Sequence, residues 1–83
     1  MTTDERIRRI IAEQGGLTVD VGRLADADDL FAAGMTSHAS VNVMLGLESE
    51  FDVEFPDDML NRSVFSSVSA IRDAVSRLGA QPG

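Results

Sequence analysis

The stretch from Asp29 to Asp58, DLFAAGMTSHASVNVMLGLESEFDVEFPDD, decides how this 83-residue chain folds. Its centre, residues 37–51, reads as the main helix. At about 100° per residue, Ser40, Val43, Met44, Leu47 and Phe51 share one apolar stripe, the expected core face. Val41 and Leu45 lie off that stripe, on the side that also carries Ser37 and Glu48. Two aliphatics beside an acid and away from the core fit either an exposed contact surface or a position beneath the preceding loop. Gly46 falls opposite the core, where glycine costs a helix about 1 kcal/mol relative to alanine for no evident return. Asp52-Val53-Glu54-Phe55-Pro56 ends the helix, because proline disfavours helical geometry in the residue before it. Asp57-Asp58-Met59-Leu60-Asn61 then reads as a short helix capped by its aspartates.

Outward from this stretch, residues 3–14 read as a first helix. Ile7, Ile10 and Ile11 repeat at helical spacing, and Thr3 or Asp4 can cap the start. Gly15-Gly16 ends it, glycine supplying the left-handed turn. Residues 17–36 form a long connection with spaced apolar residues. Leu17-Thr18-Val19-Asp20-Val21 alternates like a strand, but a lone strand has no partner here. A loop laying its apolar side chains on the helices is expected instead, with one helical turn around 27–31. So long a loop in so small a domain is uncommon and often functional. Ser66 or Ser67 opens the last helix, where Val68, Ile71, Val75 and Leu78 repeat, and Gly79 closes it. The expectation is an all-α single domain over 1–83: a small four-helix bundle of three longer helices and one short one. Its ordered core spans about 3–78, followed by a fraying tail over 79–83.

Charge is the unusual feature of the composition. Seven arginines, no lysine and fourteen acids leave a formal net charge of −7. The imbalance is segregated: residues 24–61 hold nine acids and no basic residue. Direct nucleic-acid binding is thereby excluded as a reading, since phosphate contacts need clustered cations. The acidic stretch fits a solvated face or the docking site of a basic partner. Cysteine is absent, so neither disulfides nor thiolate metal sites staple the fold. No run approaches the ~18 apolar residues of a membrane span. The charged N-terminus lacks a signal peptide's apolar core, which makes a cytoplasmic monomer the default.

An enzyme in its own right is not expected. A chain this short has no room for a substrate cavity and a cofactor domain. A single histidine excludes an HExxH zinc site, and no glycine-rich phosphate loop is present. Ser37 is the nucleophile to weigh, in Gly34-Met35-Thr36-Ser37-His38. A helix N-terminus presents unpaired N–H groups and tolerates a phosphate, so a serine there is suited to a phosphodiester. The same serine is equally an ordinary N-cap. A hydrolytic Ser37–His38 pair is disfavoured, because neighbours on a helix point about 100° apart.

The quoted stretch resembles the acyl carrier proteins and related peptidyl carrier domains. In that family a segment like D-L-F-x-x-G-x-D-S-L precedes the second helix, an E-x-x-F ends it, and a loop with a proline follows. Asp29-Leu30-Phe31, Gly34, Ser37, Val41, Leu47, Glu48, Phe51 and Pro56 match in order and spacing. With the flanking helices, the resemblance covers about residues 5–78. It implies a bundle of acyl-carrier type and makes Ser37 the attachment site of 4′-phosphopantetheine, installed from coenzyme A by a phosphopantetheinyl transferase. The terminal thiol of that arm holds cargo as a thioester.

Two positions depart from the pattern. Thr36 stands where the family has the aspartate associated with transferase recognition, and His38 stands where it has leucine. The runs Ala39-Ser40-Val41 and Leu60-Asn61-Arg62 are similar to small bacterial aminoacyl carrier proteins. Those are charged with small amino acids by stand-alone ligases resembling seryl-tRNA synthetase without its tRNA-binding arm. The resemblance thus implies a non-catalytic carrier with three kinds of partner: a transferase, an acyl- or aminoacyl-loading ligase and a downstream acyl-accepting enzyme. Thr36, His38, Val41, Leu45, Glu48, Asp57 and Asp58 are the expected docking residues, with no metal site. The alternative is an unmodified acidic helical module that keeps this fold and binds a basic partner.

Overall fold

A computed structural model describes residues 2–79. Three α-helices carry the fold: α1 (Thr3–Gln14), α2 (Ser37–Phe51) and α3 (Val68–Arg77). Two 3-10 turns, Val21–Arg23 and Asp57–Met59, interrupt the connections, and no strand occurs among the described residues. The chain is therefore a small all-α bundle of three main helices. The short helix expected over 57–61 is a single 3-10 turn followed by further turns. Its aspartates do not cap it: the N-cap is Pro56, which offers no side-chain acceptor. The expected tail falls outside the described residues from position 80 onward.

Each helix start has a local chemical cause. Thr2, not Thr3 or Asp4, caps α1, because a glutamate three residues on completes a reciprocal pair. The Glu5 amide donates to Thr2 Oγ1 at 3.1 Å, and the Thr2 amide donates to Glu5 Oε1 at 3.0 Å. The Thr2 amide foremost, and then the Thr2 side chain, hold the Glu5 carboxyl below its ordinary range. At the other end Gly16, with φ +64°, supplies the left-handed residue. Ser67 caps α3 by accepting from the Ala70 amide at 3.1 Å. Ile7 and Ile11 of α1, Val43 and Leu47 of α2, and Val68 and Ile71 of α3 meet with no exposure at all, joined by Leu30 from the long connection.

The α1–α2 contact explains Gly46, which faces α1 and not the solvent side opposite the core. A Cβ built there would lie 2.9 Å from Ile10 Cγ2, inside the limit of real contacts. Glycine lets the helices approach, and Glu50 locks them from one turn further on. Arg6 Nε donates to Glu50 Oε2 at 2.7 Å, and Arg9 donates to Oε1 at 2.6 Å. The Arg6 hydrogen bond, then the two positive charges, hold Glu50 below its ordinary range.

The long connection is a loop, as its isolated alternation implied. Leu17, Val21, Leu24 and Phe31 pack on the core. Its helical turn falls at Val21–Arg23, with another reversal at 29–34, where the Ala33 amide donates to Asp29 O at 3.1 Å. The single turn expected around 27–31 is displaced toward 29–34: the Ala25 amide donates to the Asp28 carboxylate and the Phe31 amide to that of Asp29, holding the backbone before it in tighter turns. A second ion cluster pins this loop. Arg8 donates to Asp26 Oδ1 at 2.8 Å, and Arg72 donates to Asp26 Oδ2 at 3.1 Å and Asp4 Oδ2 at 2.7 Å. Hydrogen bonds from Arg8 and then Arg72 lower the Asp26 carboxyl, while Asp4 and then Asp26 raise the Arg72 guanidinium.

Candidate functional site

The site begins where the loop leaves the core. Leu30 is fully buried and Met35 nearly so, and the Met35 amide donates to Leu30 O at 3.1 Å. Gly34 lies between them at φ +113°, and a Cβ there would come within 3.0 Å of the Thr18 amide nitrogen. Both the dihedral and the space demand glycine. The next three residues, Thr36, Ser37 and His38, all emerge into solvent.

Thr36 is the N-cap of α2. Its Oγ1 accepts from the Ala39 amide at 3.0 Å, and its carbonyl accepts from the Ser40 amide at 3.0 Å. Ser37 is therefore not the cap but the first helical residue, and the local explanation for its hydroxyl disappears. That hydroxyl has no hydrogen-bond partner among the described residues, and neither do the amides of Ser37 and His38. An exposed nucleophile thus stands beside two free N–H groups at the positive end of a 15-residue helix. A phosphodiester on Ser37 Oγ fits this setting: the oxygen is free, and nothing needs to be displaced. His38 makes no hydrogen bond to Ser37, as their angular separation implied.

The side of α2 next to this point is apolar and open. Val41 and Leu45 are 49% and 54% exposed, so the loop does not cover them. Leu60, 45% exposed, joins them from the segment after the second 3-10 turn. Ser40, Val41, Met44, Leu60 and Phe65 enclose a groove of about 300 Å³. Phe65 is held beneath it by Phe55, their ring centroids 5.3 Å apart.

Asp57 and Asp58 are exposed as expected, but Glu48 is half-buried, and its Oε2 accepts from the Phe55 amide at 2.9 Å. Glu48 therefore ties the end of α2, where Asp52 turns left-handed at φ +54°, to the descending chain. Leu60 and Arg62 were not legible as surface features in the sequence. The Arg62 guanidinium lies 3.9 Å from the Phe31 ring centroid, clamping the long loop to the Asp57–Phe65 segment, a pairing no local spacing reveals.

The acidic stretch divides on the same basis. Glu50 and Asp26 are neutralised by arginines of α1 and α3, so the whole run is not a docking charge. Asp28, Asp29, Asp52, Glu54, Asp57 and Asp58 have no ion-pair partner among the described residues. Among those residues no cluster of three or more His, Cys, Asp or Glu is arranged to hold a metal, and no helix is long and apolar enough to cross a membrane.

The family model for the phosphopantetheine attachment site matches residues 5–75. The chain belongs to that family. Over 69 residues it is 54% identical to the aminoacyl carrier protein of Agrobacterium fabrum, covering 83% of each chain. To aminoacyl carrier protein 1 of Bradyrhizobium diazoefficiens it is 38% identical over 78 residues, 88% of this chain and 83% of that one. Among solved structures it matches a chain in the crystal structure of an engineered Bradyrhizobium japonicum glycine:[carrier protein] ligase complexed with carrier protein from Agrobacterium tumefaciens and AMP. The TM-score is 0.87 at 50% identity, over 89% of this chain and 99% of that one. Family membership and these relatives bear out the expectation of a non-catalytic, phosphopantetheine-binding carrier protein.

Proposed function

We propose that Ser37 carries 4′-phosphopantetheine and that the chain is an aminoacyl carrier for a small amino acid, loaded by a ligase of the glycine:[carrier protein] kind. When bound, the group supplies a flexible arm whose terminal thiol holds the amino acid as a thioester. The observation that carries the reading is the division of labour at α2: Thr36 takes the capping bond, and the Ser37 hydroxyl is left exposed and unpartnered. The free amides of Ser37 and His38 favour an anion at Ser37 Oγ through the helix dipole. Val41, Leu45 and Leu60 offer a small apolar contact, and Asp57 and Asp58 stand near it in sequence to steer a basic partner. Glu48 acts here chiefly by fixing the chain that presents this face.

The remaining partners follow from the same reading: a phosphopantetheinyl transferase that modifies Ser37 and a downstream enzyme that accepts the amino acid. A monomer in the cytoplasm suits a shuttle moving between them. Thr36 retains the capping oxygen that aspartate would supply while removing its charge beside Ser37. A transferase that needs that carboxylate is therefore expected to act slowly on this chain. The test is intact mass after incubation with coenzyme A and several phosphopantetheinyl transferases, wild type against Ser37→Ala. A single added phosphopantetheine on wild type alone is the expected result. No gain with any transferase, together with none on protein from its native source, leaves the unmodified interaction module as the function.

A further inference from the structure

The long loop presents a second apolar surface that shares no residue with the groove beside α2. Val19, Leu24, Ala32 and Ala33, together with Asp28 and Asp29, line a groove of about 330 Å³. Val19 is 46% exposed there, an aliphatic side chain that folding leaves half in water. Asp28 and Asp29 are exposed and have no ion-pair partner among the described residues. One oxygen of each accepts a backbone amide, from Ala25 and Phe31 respectively, both at 2.9 Å. Those bonds fix where the two charges stand, and the second oxygen of each has no hydrogen-bond partner among the described residues. Arg23 is the one cation in residues 17–33, and it does not line the groove.

The walls are held both from outside the loop and by bonds across it. Arg8 donates to Val21 O at 2.7 Å and Leu24 O at 2.9 Å. The Thr18 amide and hydroxyl both donate to Ala33 O at 3.0 Å, and the Leu30 amide donates to Ser66 O at 2.7 Å. A surface fixed before binding loses little conformational entropy when it is occupied. The groove is preformed, apolar at its centre and negative at its edge. It also lies in the chain directly before Gly34-Met35-Thr36, the residues that lead to Ser37.

We infer that this groove is a docking surface for the loading ligase and receives an aliphatic side chain flanked by lysine or arginine from that enzyme. The inference rests on the carrier reading for the identity of the partner, and on charge complementarity and preformed geometry for the site itself.

The experiment titrates the full chain into the Bradyrhizobium japonicum glycine:[carrier protein] ligase, comparing wild type with Val19→Ser, Ala32→Arg and the double variant Asp28→Asn, Asp29→Asn. Val19 and Ala32 are exposed, and asparagine keeps the amide-accepting oxygens, so circular dichroism of all three should match wild type. Val19→Ser is expected to weaken binding about three- to tenfold, and Ala32→Arg by more than about tenfold. The double asparagine variant is expected to weaken it about three- to tenfold at low salt and to flatten its salt dependence. Unchanged affinity in all three variants overturns the inference, as does the absence of ligase binding to wild type. A self-association of wild type that Val19→Ser abolishes also overturns it, since the occupant is then a second copy. Mass gain on Ser37 is measured separately in the same variants. Gain with unaltered ligase affinity removes only the groove, whereas no gain with any transferase, together with none on protein from its native source, removes the carrier reading.

Discussion

At the scale of single residues, the chemistry at the start of α2 turns on which of two adjacent hydroxyls is the cap. Thr36 Oγ1 accepts from the Ala39 amide, and the Ser37 hydroxyl has no hydrogen-bond partner among the described residues. The two side chains should therefore separate cleanly under mutation. Thr36→Ala is expected to destabilise the fold by about 1 kcal/mol, read as a lower denaturant midpoint at unchanged slope. Thr36→Asp should restore that midpoint, because its carboxylate accepts the same amide, and it should speed modification by a general phosphopantetheinyl transferase. Ser37→Ala should leave the midpoint within about 0.5 kcal/mol of wild type while abolishing mass gain. A large loss of stability in Ser37→Ala would mean that Ser37, not Thr36, is the structural residue.

At the scale of elements, α2 is defined by what each of its sides meets. Its core stripe was legible from periodicity, and Val43, Leu47 and Phe51 are buried accordingly. Whether Val41 and Leu45 were covered could not be read from spacing, because it depends on the path the preceding loop takes in space. Gly46 is the sharper case. A helical wheel places it away from the stripe, but α1 packs against that flank and Ile10 fills the space a Cβ needs. Gly46→Ala should therefore destabilise the protein by about 1–3 kcal/mol despite alanine's better helix propensity. Thermal unfolding decides it, and a rise in midpoint would refute the close approach.

At the scale of the whole molecule, the negative charge is sorted by the fold. Glu50 and Asp26 join α1, α2, α3 and the long loop through arginines, while the unpaired acids remain on the loop and the Asp52–Asp58 segment. The folded-state carboxyls of both paired acids lie below their ordinary values of 4.5 for Glu50 and 3.8 for Asp26. Their stabilisation is therefore complete above those values and is lost as pH falls through the lowered ones. Glu50→Gln and Asp26→Asn should each lower the thermal midpoint at pH 7 and flatten its decline below about pH 4.5. Association with a ligase should weaken as salt rises, because the unpaired acids act at long range. Salt-independent binding would remove steering as their role.

The sequence by itself determined the three helices, the core stripes, the excess of acid and the serine at the head of α2. All of these rest on local spacing and composition, which a linear reading contains. Tertiary structure alone decided which acids are neutralised, which aliphatics stay in water, why Gly46 is glycine and what Glu48 holds. It also reduced the expected fourth helix to a 3-10 turn. The ion pairs, the exposed aliphatics and Gly46 depend on contacts between residues far apart in the chain, such as Arg6 with Glu50 or Ile10 with Gly46. The assignment of the cap to Thr36 lies between the two. Threonine and serine cap comparably well, so only the backbone path out of the buried Met35 chose between them.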